Sequence, residues 1–150
     1  MLSAKDIANY FLSKSEAEPG DSISNLKIQK LVYYAQGFHI AMFGKPLFDE
    51  NIEAWMHGPV VPELYYEFNK YGSCEIPVPE DIDFEKYSEE VKDLLDDIYT
   101  VYGQFSAWKL RELTHNESPW LNTPVGKGSV ISHEKLKKYF ITQINNETEN

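Results

Sequence analysis

The chain carries one cysteine, Cys74, among its 150 residues, which excludes an internal disulfide and makes an oxidising compartment unnecessary. Positive charge is scarce too. Fourteen lysines and arginines face 24 aspartates and glutamates, a formal net charge of -10, so the field of the whole molecule repels phosphate backbones and anionic membranes. Nucleic acid is therefore a disfavoured partner. No uninterrupted apolar run approaches membrane-spanning length and no basic start precedes an apolar signal segment, so the expected location is cytoplasmic, with no membrane partner. Phosphate-binding glycine loops, the HExxH zinc motif and cysteine pairs at zinc spacing are all missing. With four histidines and one cysteine, neither a metal site nor a cofactor is expected.

What is present is one dominant stretch, SNLKIQKLVYYAQGFHIAMF at 24–43. At 100° per residue, Ile28, Leu31, Val32, Ala35, Phe38, His39 and Met42 share one face, while Leu26, Tyr33 and Ile40 recur every seventh residue on the other. Such a pattern predicts a central helix, buried on two sides, with Lys27, Gln29, Lys30 and Gln36 confined to narrow edges. Length and composition predict one compact, mainly α (α+β) domain over 1–150 around that helix.

Four helix starts share a local signal: an apolar residue, a serine, then an apolar residue four positions further on. They are Leu2-Ser3 with Ile7, Ile23-Ser24 with Ile28, Phe105-Ser106 with Leu110, and Ile131-Ser132 with Leu136. The hydroxyl accepts an orphan backbone N–H while the apolar pair closes over the turn. The first helix is expected over about 3–15, ending before a Pro19-Gly20 loop. After Gly44 the period changes, and two short apolar runs around a turn-rich triplet predict a small antiparallel β-hairpin at about 47–56. Pro62 suits the first turn of a short helix over 63–69. Residues 73–87 read as an extended connection, Ser88 caps a helix ending at Gly103, and a shorter helix covers 107–114. The stretch HNESPWLNTPVGKGS at 115–129 reads as a loop, and a last helix runs from 133 to about 144, leaving 145–150 as a frayed tail.

Acids concentrate between 75 and 97, where ten carboxylates meet only Lys86 and Lys92. That run is either a solvated face or a docking surface for a basic partner. His39 reads as a hydrogen-bonded core residue. His57 precedes Gly58-Pro59 and His115 precedes Glu117 by two, so either histidine could serve as a general base oriented by a carboxylate. No serine or cysteine nucleophile sits in a recognisable elbow, and an enzyme is not the expected reading. Two segments lie outside helix and strand periodicity: WMHGPVVP at 55–62 and THNESPW at 114–120. Each joins a tryptophan to a proline turn and a histidine, so Trp55 and Trp120 either plug the ends of the core or anchor a protein interface.

Taken with the central-helix string LKIQKLVYYAQGFHIAMFGKPLFDE, with IEAWMHGPVVPELYYEF, with Tyr102-Gly103 and with LTHNESPW, these segments resemble the Panacea antitoxin domain family. That family was formerly a domain of unknown function and includes phage-associated and SocA-like proteins. The resemblance implies an antitoxin of a bacterial or phage toxin–antitoxin system that silences a toxin encoded nearby by direct protein–protein binding. The toxin would be basic or alarmone-synthetase-like. An alternative it implies is a proteolytic adaptor delivering the toxin to an AAA+ protease; an enzyme using His57 or His115 with Glu117 is a third reading. The match fills the chain, so a helix-turn-helix extension is not expected. Candidate partner contacts are Lys27, Gln29, Lys30 and Tyr34 on the edges of the central helix, Trp55, His57, Pro59 and Val61 in the turn, and His115, Glu117 and Trp120 in the later loop.

Overall fold

Serine hydroxyls start the helices. Ser3, Ser24, Ser88, Ser106 and Ser132 accept the backbone N–H of Asp6, Lys27, Val91, Lys109 and Lys135 at 3.0–3.3 Å. At the first of these Asp6 accepts the Ser3 N–H in return at 2.9 Å, closing a capping box. The computed structural model describes residues 1–17 and 22–148. It contains α1 (Ala4–Ala17), α2 (Asn25–Phe43), β1 (Glu53–Trp55), β2 (Gly58–Val60), α3 (Pro62–Phe68), α4 (Glu89–Tyr102), α5 (Ala107–His115), α6 (Ser118–Leu121) and α7 (His133–Thr148). The expected loop at Pro19-Gly20 and the last two positions of the expected frayed tail lie outside the described residues. None of these helices is long and apolar enough to cross a membrane.

Helix α2 is the axis of the fold, with 15 of its 19 residues buried. Leu31, Val32, Tyr33, Tyr34 and Ala35 are wholly inaccessible, and only the last turn emerges, so Met42, expected on the apolar face, is half exposed. Ile7 and Phe11 of α1, Val91, Leu95 and Ile98 of α4, Leu110 of α5 and Leu136 and Phe140 of α7 join it in one core. The closest approach is to α7: a Cβ added at Gly37 would stand 2.1 Å from Phe140 Cε2, so only glycine admits the Phe140 ring there.

The hairpin exists but is displaced from 47–56. Its first arm falls on the expected second run, and its partner is Gly58–Val60, pairing antiparallel with Glu53 opposite Val60 and Trp55 opposite Gly58. Leu47 and Phe48 form no strand; both are buried, with Leu47 N–H and Phe48 C=O taken by the Gln36 amide at 2.7 and 2.9 Å. On its other edge β1 pairs with the extended segment 129–131, through Ala54 N–H to Ser129 O at 2.9 Å and Ile131 N–H to Ile52 O at 2.8 Å. The supposed loop 115–129 holds the short helix α6, with Pro119 in its first turn. Helix α7 continues past 144 to Thr148.

Candidate functional site

The segment from 55 to 61 is gripped at five points, four on its backbone and one on the His57 ring, by side chains from elsewhere in the chain. Irregular backbone lacks the internal partners of a helix or sheet, so its buried polar groups must find side chains. Gln29 Oε1 accepts the Val61 N–H at 2.9 Å, and Lys30 Nζ donates to Pro59 O at 3.3 Å. From α5, Arg111 Nε donates to His57 Nδ1 at 3.0 Å, while His115 Nε2 lies 2.9 Å from Met56 O. From α6, the Trp120 indole N–H reaches Trp55 O at 2.8 Å, its ring centroid 4.1 Å from that of His115. Sequence segments more than fifty residues apart thus converge on one turn.

Gly58 makes the approach possible. Its φ of 112° is a conformation that residues with a Cβ rarely adopt, and a Cβ there would meet Lys30 Cε at 2.7 Å and Thr114 Oγ1 at 2.9 Å. Lys30 is fully buried, and that burial, followed by the nearby Arg111 charge, pulls its ammonium down to about 7. Behind the turn, Glu117 takes the Tyr33 hydroxyl on Oε1 at 2.8 Å and the Tyr34 hydroxyl on Oε2 at 2.7 Å, with Tyr139 as a third donor. Burial pushes its carboxyl up to about 7 although the three hydroxyls pull the other way. The tyrosine hydroxyls are held above their ordinary range by burial and by Glu117.

The central-helix candidates therefore sit inside the molecule. Lys27 is buried and donates to Gly103 O at 2.7 Å; Gln29, Lys30 and Tyr34 are buried and occupied as described. Asn25 joins this series, its Nδ2 donating to Tyr65 O at 3.1 Å and its Oδ1 accepting from Gln29 at 2.9 Å. Pro59 and Val61 are buried, Glu117 is 8% exposed, Trp55, His115 and Trp120 are half-buried, and only His57 stands in the open. The Glu117 carboxylate is taken by tyrosines and His115 by the Met56 carbonyl, so neither His57 nor His115 hydrogen-bonds to Glu117. Among the described residues no cluster of His, Cys, Asp and Glu could hold a metal ion.

Sequence reasoning missed the outward side of the same region. Met56 at the hairpin tip is 69% exposed, Tyr66 of α3 55% and Trp108 of α5 58%. Together with Trp55 and Tyr65, whose rings meet edge to face at 5.1 Å, Met56 and Trp108 wall a cleft of about 610 Å³ whose floor includes Lys30 and Gln29. The available signal was Trp108 three positions before Arg111 on one helix, a spacing that places the cation over the ring, here at 4.5 Å.

The family described as Antitoxin SocA-like, Panacea domain matches residues 28–121, which include the hairpin and all its clamps. The chain is also 30% identical over 156 aligned positions to Antitoxin SocA of Caulobacter vibrioides (strain NA1000 / CB15N), covering 93% of this chain and 82% of that protein. No solved structure matches.

Proposed function

Because the chain belongs to the SocA-like Panacea antitoxin family, we propose that it neutralises a cognate toxin protein by binding it directly. That membership, over most of the domain, is the observation that carries the reading. The physical arrangement supports it: a rigidly held hairpin presents Met56 and His57 outward beside Trp108, as a surface built for contact does. In this reading Trp55, His57, His115 and Trp120 are the candidates that reach the partner. Lys27, Gln29, Lys30, Tyr34, Pro59, Val61 and Glu117 act one step behind, as positioning residues that keep the contact surface in shape. The acidic run on and before α4 supports a partner with a basic region, which would associate faster at low salt.

The experiment is co-expression with the protein encoded beside this one. Rescue of growth together with one-to-one co-purification is the expected result. A neighbour that is harmless alone and does not co-purify would remove the reading.

A further inference from the structure

Four basic groups lie together behind the cleft, and none has a carboxylate partner. Burial, and after it the Arg111 charge, lowers Lys30; His115 is lowered by burial, raised by its hydrogen bond to Met56 O, and lowered further by the nearby Arg111, Lys30 and His57. The ion pairs of the described residues lie elsewhere, at Lys5–Glu67, Lys14–Asp96, Lys86–Asp6 and Lys92–Glu89. Glu117, the nearest carboxylate in sequence, gives both oxygens to tyrosines. In a chain with 24 acids, a guanidinium surrounded by basic groups and by no carboxylate is an exception, and it leaves a place for an anionic counterion.

The hydrogen bonds say where that counterion would sit. Arg111 Nε is always a donor, so His57 Nδ1 accepts and the neutral ring carries its proton on Nε2. His57 is exposed and lines the cleft mouth, so this N–H is a donor at the cleft, backed by the guanidinium and, in the floor, by Lys30. None of the residues lining the cleft is acidic, and Trp55, Met56, Tyr65 and Trp108 give it aromatic and thioether surface beside the polar Asn25, Asn69 and Ser73.

Building on the antitoxin reading, we propose that this cleft receives an acidic side chain of the partner protein, flanked by apolar residues, with the carboxylate on His57 Nε2–H and the apolar neighbours against Trp55, Met56 and Trp108. A through-running segment suits the site better than a chain terminus, because the cleft is rimmed by exposed residues, among them Met56, Asn69, Gly72, Ser73 and Trp108. The partner then meets two surfaces of opposite sign: its basic region at the acidic α4 face and an acidic anchor here.

The test needs no toxin. A capped tripeptide with glutamate between two leucines is titrated into the isolated protein, and the indole N–H signals of Trp55 and Trp108 are followed by NMR at low salt. Two control peptides replace the glutamate by glutamine, one capped and one with a free C-terminal carboxylate. The glutamate peptide should bind about tenfold tighter than the capped glutamine peptide, the size of a charge-assisted hydrogen bond. His57→Ala, at an exposed position, and Arg111→Gln, at a half-buried one, should each reduce that preference to within about twofold, with thermal unfolding read in parallel to separate lost contact from a loosened turn. Equal binding of the capped peptides, no shift at either indole, or tightest binding by the free-terminus peptide overturns the proposal. So do indole shifts that follow protein concentration alone, which would assign the cleft to a second copy. Failure here with successful rescue in co-expression leaves the antitoxin reading standing; failure of rescue removes that reading whatever the peptides do.

Discussion

The α1–α4 side of the central helix and its hairpin side are built by opposite rules. Toward α1 and α4 the interior is mostly hydrocarbon, from Ile7 and Phe11 to Leu94, Leu95 and Ile98, with the Tyr10 and Tyr87 hydroxyls and Asn9 Oδ1 as its polar exceptions, and the surface is charged and mainly acidic. Toward the hairpin the interior holds Asn25, Gln29, Lys30 and Glu117, while Met56, Tyr66 and Trp108 face water. The first arrangement is what the hydrophobic effect produces by default. The second inverts it: buried polar side chains clamp a non-repetitive backbone, and that rigidity keeps apolar side chains outside. The contrast separates a side with an apolar interior under a charged surface from one with a polar interior under exposed apolar side chains.

The largest expected effect lies at the polar centre. Glu117→Ala leaves the Tyr33 and Tyr34 hydroxyls buried without their acceptor and should cost at least about 3 kcal/mol in denaturant unfolding. Asp93→Ala on the acidic face should stay within about 0.5 kcal/mol. Equal costs would erase the distinction between the two sides. Next is Gly58→Ala, which adds a clash with Lys30 and Thr114 to an unfavourable φ and should cost about 2–3 kcal/mol. Gly44→Ala, at φ 75° with open space around it, should cost about 1 kcal/mol.

Buried Glu117 and Lys30, whose shifts meet near 7, predict a stability minimum near neutral pH. Glu117 is raised in the folded state, so its contribution is present below its ordinary value and is lost as pH climbs to about 7. Lys30 is depressed, so its contribution is present above its ordinary value and is lost as pH falls toward about 7. Glu117→Gln should flatten the acid limb of the stability profile and Lys30→Met the alkaline limb, each measured as unfolding midpoint against pH. A profile unchanged by either variant would show that these groups titrate as they do in the unfolded chain. Smallest in stability is Trp108→Ala, within about 0.5 kcal/mol because the ring is mostly in water, yet it should weaken toxin co-purification.

The apolar side was legible in the sequence and the hairpin side was not, for physical reasons. Serine caps and helical periodicity are local, so the starts at Ser3, Ser24, Ser106 and Ser132 and the burial of α2 follow from short windows. Lys27 and Lys30 read as edge residues because their amine partners, Gly103 O and Pro59 O, are distant in the chain. The hairpin lies later in the chain than the apolar runs predict because its second strand, Gly58-Pro59-Val60, has no alternation and carries the two residues that most disfavour strands. Four residues of α6 are too few to show a period. The strings that carry the family resemblance were visible, but their common purpose, fixing one turn from several elements, exists only after folding.

The most direct test of the account is hydrogen exchange of the protein alone and bound to its co-purified neighbour. The account predicts new protection across the hairpin tip, residues 55–58, and the start of α5, residues 107–111. Protection confined to α4 and the acidic stretch before it, with the hairpin unchanged, would contradict it.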